Sequence, residues 1–493
     1  MNRRLTLIMA LAALLRLVNI GQESLWFDEA FTAWVTKPGT DFWRAVIGDT
    51  HPPLWSMLQW LSARLFGQGE VAFRVWAAVF SVASVYLIYR LAMRISYGDE
   101  KLSLTATLIA AIMPAFIYFG QDGRMYAALG FFVLLTAYWL LESERLWVLS
   151  ALLAMYTHTS GVLYVVAIAS AVILKDISAS QGDYLRYTIA RFAPDLIAIS
   201  IFYAPYLFVL TGQMHSVKDS FWLPPLELGG ALFPFELTTA GWRLPQSAQV
   251  WVYATFAGMT IIGIVVFLKQ ESKIYEKDIA YKHWKSSAVM FGGFLVAPLL
   301  LAIVSLVWRN IYVFRAIYPA ALLIPILWAY ALTKTGKENR QWAQLLIIPA
   351  LVVALISHYF PNSGRGDVTH LQSIRDQWVV GDAVLYVDGD VAIADGWYMQ
   401  DQPIYISDHQ LGNIVTVSEE CRSAFGFIRS NIADLWSRGY KRVWVLFNSS
   451  AYTSQGNFDL RDQIVQSGGV VIRHDEGERP QYYSEVLLIE AAQ

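Results

Sequence analysis

Cysteine is almost missing from this 493-residue chain, with Cys421 the single example. That excludes an intramolecular disulfide and any cysteine-based metal cluster, and Cys421 itself reads as a small buried residue. Charge is scarce too. Asp, Glu, Lys and Arg make up 15% of the residues, against 56% hydrophobic, where soluble proteins carry about 25% charged residues. The composition is that of an integral membrane protein. The formal net charge of −2 gives no electrostatic reason to expect nucleic acid as a partner. No phosphate-cradling glycine motif is visible, so no nucleotide site is expected. Internal repeats are also lacking, and the interiors of the apolar runs are almost free of charge. Secondary transporters place polar groups near the midplane between repeated halves, so both absences weigh against a transporter.

What is present is a series of long apolar runs. Spanning a bilayer takes roughly 20 apolar residues, and eleven segments are candidate spans: 5–21, 71–93, 102–119, 125–141, 146–157, 161–174, 192–211, 248–268, 287–308, 316–333 and 342–358. The short segments 146–157 and 161–174 read as a helix pair broken around Thr157–Gly161. Residues 5–20 follow Arg3 and Arg4 as a signal peptide would. Arg16 lies within the run, however, and no small-residue cleavage site follows, which predicts an uncleaved first helix. The basic connectors fall at 90–101, 175–191, 269–285 and 334–340. With the N-terminus inside, all four share the cytoplasmic face. The first loop 22–70, the loop 212–247 and the C-terminal tail then lie outside.

Hydropathy falls from about residue 359. Residues 383–387, 403–406, 442–447, 470–472 and 485–489 read as short buried strands, with helical patterns over 424–438 and 459–467. Alternation of this kind predicts a small soluble α/β domain over 359–493, with a parallel or mixed sheet. Arg365-Gly366-Asp367 reads as a linker turn, and Asn448-Ser449-Ser450 is a formal glycosylation sequon.

The first loop breaks the apolar pattern. Trp26-Phe27-Asp28-Glu29-Ala30, and further on Asp49-Thr50-His51-Pro52-Pro53, set carboxylates and a histidine beside a bilayer. Acidic groups there are costly unless they have work to do. Leu25-Trp26-Phe27 supplies an interfacial aromatic anchor. Asp28, held at that depth, can act as a general base toward a hydroxyl, with Glu29 beside it. The competing reading is an interfacial cap for a surface helix over 29–35. The double proline predicts an extended turn before a helix over 54–66, placing Asp49 and His51 on a stiff loop. Asp-x-His can ligate a divalent metal, bind sugar or phosphate, or cap the helix that follows.

Two further outer segments carry charge. The hairpin 118–126 holds Asp122, Arg124 and Tyr126, and Arg124 offers a planar fork for phosphate oxygens or a partner for Asp122. The segment 308–315 holds Arg309 and Arg315. Both depart from the positive-inside rule, which favours an anionic ligand or a lipid headgroup. Arg16 and Arg74 flank the region and read as snorkelling side chains. His158 reads as a satisfied polar group at a helix break.

Taken in order, Asp28-Glu29-Ala30, His51-Pro52-Pro53, the hairpin Gln121-Asp122-x-Arg124-Met125-Tyr126 and the late Arg315-x-x-Tyr318-Pro319 resemble one family. They look like the polyprenyl-phosphate-dependent glycosyltransferases of the GT-C superfamily, near the protein O-mannosyltransferases and the bacterial aminoarabinose transferase. The resemblance covers 1–358. The tail and Phe221-Trp222-Leu223-Pro224-Pro225 are similar to bacterial members with an outer C-terminal domain.

The resemblance implies a polytopic α-helical membrane protein of about 11 transmembrane helices, catalytic over 1–358, in the plasma (inner) membrane. Asp28 would be the catalytic acidic residue and Asp122 the second, with Glu29 in support. Asp49 and His51 fall in the family's second first-loop motif, while Arg124, Tyr126, Arg309 and Arg315 would bind substrate. The lysine often found after the Pro-Pro pair is absent here (Leu54-Trp55-Ser56), which leaves the acceptor open. The implied reaction moves a sugar, with inversion, from a polyprenyl-phosphate donor to a glycan, lipid or protein. No cofactor is required, and a divalent metal at Asp49 and His51 is an open option. The alternatives are a transporter of a lipid-linked or small anionic substrate and a non-catalytic glycan-binding membrane protein. Charge gathered at one face favours the interfacial enzyme.

Overall fold

A computed structural model describes residues 2–178, 184–220, 225–226, 233–241, 243–275, 280–360, 368–387, 389–407, 419–448, 464, 466–475 and 484–491. The apolar part begins with α1 (Arg3–Leu17), followed by α2 (Phe27–Thr36), α3 (Phe42–Gly48) and α4 (Pro53–Phe66) of the first loop. Then come α5 (Glu70–Ile95), α6 (Glu100–Ile112), α7 (Pro114–Gly120), α8 (Tyr126–Glu142), α9 (Leu146–Thr157), α10 (Ser160–Ser178), α11 (Tyr184–Ser220), α12 (Phe233–Ala240) and α13 (Gln246–Tyr275). A π-helical turn, Gly292–Val296, joins α14 (Ala280–Phe291) to α15 (Ala297–Val307), and α16 (Phe314–Ala321), α17 (Ile324–Lys334) and α18 (Lys337–Tyr359) complete the set.

Each of the eleven expected spans is helical, but the expected count is not met on length and composition. Among the described residues six helices are long and apolar enough to cross a membrane, or up to eight spans if each of two bent pairs counts as one. The remaining segments are shorter: α8 and α9 fall in the 10–17 residue range, and α1 has 15 residues. The pair α6–α7 is bent by 60° and α16–α17 by 41°.

Chemistry explains the first bend. Pro114 opens α7 and has no N–H, so the Ala110 carbonyl loses the partner that a continuous helix would supply. Arg16 replaces it. Its guanidinium donates to Ala110 O at 3.1 Å, to Ala111 O at 2.6 Å and to Ser81 Oγ at 2.9 Å. Arg16 is fully buried and does not snorkel. With no water to satisfy freed carbonyls in a bilayer, a side chain must do so.

Beyond α18 lie α19 (Thr369–Gln377), β1 (Asp382–Tyr386), α20 (Gly389–Tyr398), β2 (Tyr405–Ser407), α21 (Glu419–Phe425), β3 (Ile428–Ser430), α22 (Ile432–Ser437), β4 (Arg442–Asn448), β5 (Gly469–Asp475) and β6 (Ser484–Ala491). The six strands form one mixed sheet in the order β3-β2-β1-β4-β6-β5. The first four are parallel, and β6 pairs antiparallel with β4 and β5. The expected strands are present. One correction falls at 424–438, which patterns as a single helix: Gly426 at φ +75° ends α21, and the chain enters β3 before α22 starts. Three motifs lie outside the described residues: Arg365-Gly366-Asp367, all but Pro225 of the 221–225 motif, and Ser449-Ser450 of the sequon. So does most of the helix expected over 459–467.

One face of this sheet shares a core with the first loop. Phe31, Trp34, Ala45 and Val46 pack with Leu371, Ile374, Trp397 and Phe425. Polar ties reinforce the apolar ones. Trp34 Nε1 donates to Ile393 O at 3.0 Å, and Cys421 Sγ to Ala45 O at 3.1 Å. The Tyr398 hydroxyl accepts from Leu25 N–H and donates to Glu70 Oε1, each at 2.7 Å. The helices α2 and α3 are thus held from the sheet side as well as from the bundle side.

Candidate active site

Asp28 and Glu29 occupy the first turn of α2, where a carboxylate is favoured by the unpaired N–H groups of the helix start. They meet different partners. Glu29 is fully buried and forms a two-armed pair with Arg74: Nε to Oε1 at 2.8 Å and Nη2 to Oε2 at 2.6 Å. The same Arg74 donates to Ile20 O, Glu23 O and Ser24 O. Gly123 N–H donates to Glu29 Oε1 at 2.6 Å. A Cβ at Gly123 would sit 3.0 Å from that oxygen and from Phe73 O, so glycine is what lets the hairpin approach. Arg74 is therefore an internal strut and not a snorkelling residue. Glu29, a candidate for the chemistry by sequence, is closed off by its own partners and serves to fix α2.

Asp28 is more open. Its side chain keeps 17% exposure, and its carboxylate pairs with Arg315, brought from α16. The Arg315 guanidinium lies 4.7 Å from the Trp26 ring centre and 5.9 Å from that of Tyr126. Arg124 approaches the other side of the turn, donating Nη1 to Asp28 O at 2.9 Å and to Thr32 Oγ1 at 2.6 Å. Among the described residues its buried Nε has no hydrogen-bond partner. Burial opposes the Arg124 charge, but Asp28, Tyr126 and Asp49 hold its pKa above the ordinary arginine value. Asp122 is buried and accepts from Trp26 Nε1 at 3.1 Å, which sets the indole under Arg315.

Asp49 and His51 stand at the start of α4 on the extended Pro52 turn, as the Pro-Pro pair predicts. Asp49 Oδ1 accepts from Thr50 N–H at 2.6 Å and lies 3.2 Å from His51 Nδ1. Burial pushes the Asp49 carboxyl up, but His51, Arg124 and the Thr50 N–H together hold it below the usual value. Among the described residues no three His, Cys, Asp or Glu side chains are placed to share a metal.

His158 joins this ring, a position that its sequence context did not signal. Its ring centre lies 5.4 Å from that of His51 and 5.8 Å from that of Tyr126. Burial, with His51, Arg124 and Arg315 nearby, pushes its pKa well below the ordinary histidine value. Arg309 is half-buried at the start of the turn leading to Arg315, and the partner of the Asp28 carboxylate is Arg315. The role of Arg74 had a signal: an arginine inside an apolar helix needs an anion, and the first loop offers one in Glu29.

This helical architecture, with ion pairs gathered where the first loop meets α8 and α16, has the fold of the GT-C glycosyltransferase class. Residues 50–205 match the family model described as dolichyl-phosphate-mannose-protein mannosyltransferase. Among solved structures, the chain is similar to ArnT from Cupriavidus metallidurans in the apo state, with TM-score 0.64 and 11% identity over 98% of this chain and 97% of that one. It is similar to the same protein bound to undecaprenyl phosphate, with TM-score 0.59 and 12% identity over the same shares. It also resembles the archaeal oligosaccharyltransferase AglB from Archaeoglobus fulgidus in complex with an inhibitory peptide and a dolichol-phosphate. There the TM-score is 0.53 and the identity 11%, over 91% of this chain and 70% of that one. At these identities the likeness is one of fold. No curated protein sequence matches the chain. The resemblance read from the motifs stands.

Proposed function

We propose that the chain is a membrane glycosyltransferase that moves a sugar, with inversion, from a polyprenyl-phosphate donor to an extracytoplasmic glycan, lipid or protein. Residues 1–358 form the catalytic part, set in the plasma (inner) membrane with its site on the extracytoplasmic face, and 359–493 form a soluble α/β domain on that same face. The carrying observation is the open Asp28–Arg315 pair beside the orphaned Nε of Arg124. The undecaprenyl phosphate of the similar ArnT structure and the dolichol-phosphate of AglB support the donor class.

A sugar on a lipid phosphate has a good leaving group, so the site needs a base and cations more than a strong acid. A donor phosphate oxygen competes with Asp28 for Arg315. Once Arg315 turns to the phosphate, the Asp28 carboxylate is released toward the acceptor hydroxyl. It takes the hydroxyl proton as that oxygen bonds to the anomeric carbon. The bond from carbon to phosphate oxygen breaks on the opposite side, and its electron pair leaves with the lipid phosphate, held by Arg315 and Arg124. Trp26 and Tyr126 flank Arg315 and keep its fork aligned. Asp122 orients Trp26, while Asp49 and His51 border the sugar. Arg309 contacts a headgroup.

Asp28→Asn in purified protein should abolish transfer from a polyprenyl-phosphate sugar, a loss of at least about 100-fold for a missing base. The variant should bind undecaprenyl phosphate at least as tightly as the parent, since its Arg315 is already free. Normal turnover would remove Asp28 from the mechanism.

A further inference from the structure

We propose that His158 is a substrate-binding residue, a neutral Nε2–H donor to the phosphate oxygens of the donor lipid. The assignment rests on the glycosyltransferase reading above. It starts from a break in the chain: α9 ends at Thr157, His158 is extended at φ −156° and ψ 143°, and α10 begins at Ser160. In this turn Ser160 N–H donates to His158 Nδ1 at 3.1 Å, and Ser160 Oγ lies 2.8 Å from the same nitrogen. A backbone N–H can only donate, so Nδ1 presents its lone pair and the ring proton sits on Nε2. The loop therefore selects the tautomer.

Among the described residues nothing accepts that proton. Among the described residues Nδ1 is the only His158 ring atom with a hydrogen-bond partner. The ring lies between His51 and Tyr126, with the charges of Arg124 and Arg315 in electrostatic reach. A donor without an acceptor, beside two guanidiniums of which one also has an idle N–H, fits an oxygen-rich anion. Neutrality suits the place. The imidazole adds a hydrogen bond without adding a third positive charge against two arginines.

The test uses full-length protein titrated with undecaprenyl phosphate, with thermal midpoints measured on the same preparations. His158→Phe keeps a ring and loses the N–H; His158→Gln restores an N–H at similar reach. His158→Phe should bind about tenfold more weakly, the scale of one hydrogen bond to a charged group, with an unaltered midpoint. His158→Gln should recover most of the affinity. His158→Ala gives the same reading should the larger ring disturb packing. Parent-like affinity in the Phe and Ala variants, or a Gln variant as weak as they are, would overturn the assignment. A parent protein that does not bind undecaprenyl phosphate at all would overturn the donor class itself, and this assignment with it.

Discussion

Asp28 and Glu29 are neighbours on the first turn of α2, and each faces an arginine, yet the two pairs are built to different ends. Glu29 and Arg74 have side-chain exposures of 0% and 3%, against 17% and 21% for Asp28 and Arg315. The first pair meets along two arms and is capped by Gly123 N–H and the carbonyls of Ile20, Glu23 and Ser24. A buried pair with every polar atom satisfied holds position and resists change. The second pair stays partly exposed. Two adjacent carboxylates thus sit in different settings, with Glu29 fixing where α2 lies and Asp28 partly exposed in its pair with Arg315.

The comparison can be broken most sharply at its closed half. Glu29→Gln leaves Arg74 charged and buried without its counter-ion, which should cost about 3–5 kcal/mol. A clear fall in the thermal midpoint of the purified protein is the expected result. Asp28→Asn should leave that midpoint where it was, so equal midpoints for the two variants would erase the distinction. The open half is probed by Arg315→Lys, which keeps the charge but gives up the planar fork and the stacking on Trp26 and Tyr126. Undecaprenyl phosphate should then bind about tenfold more weakly with little change in stability, as titration would reveal. The smallest effect belongs to Tyr398→Phe, which deletes the hydroxyl between Leu25 N–H and Glu70 Oε1. A stability loss of about 1 kcal/mol is expected, together with a modest drop in turnover as the start of α2 loosens. Turnover identical to the parent would uncouple that tie from the site.

Much of this was legible in the chain. The eleven apolar segments marked by hydropathy are all helical, since apolar length is a strong signal. It did not reveal where they bend, because Pro114 within an apolar run reads as a tolerated proline until Arg16 is seen filling the gap. Asp28, Arg124 and Arg315 stood out because charge on an outer apolar rim is conspicuous. Arg74 and His158 did not. Their meaning depends on partners 45 residues away for Arg74–Glu29 and across separate helices for His158 with His51 and Tyr126. Nor does local pattern reveal that the strands after residue 380 would share a core with Trp34.

That shared core bears on how the molecule can be taken apart. The sheet layer follows the last long helix and looks like a removable module, but it grips the helix that carries Asp28. A chain cut after α18 would expose Phe31, Trp34 and Val46 and leave α2 fastened on one side only. Exchange of the tail between relatives would succeed only if α2 and α3 travelled with it, so the inheritable unit is discontinuous in sequence, joining residues near 27–48 to those beyond 368.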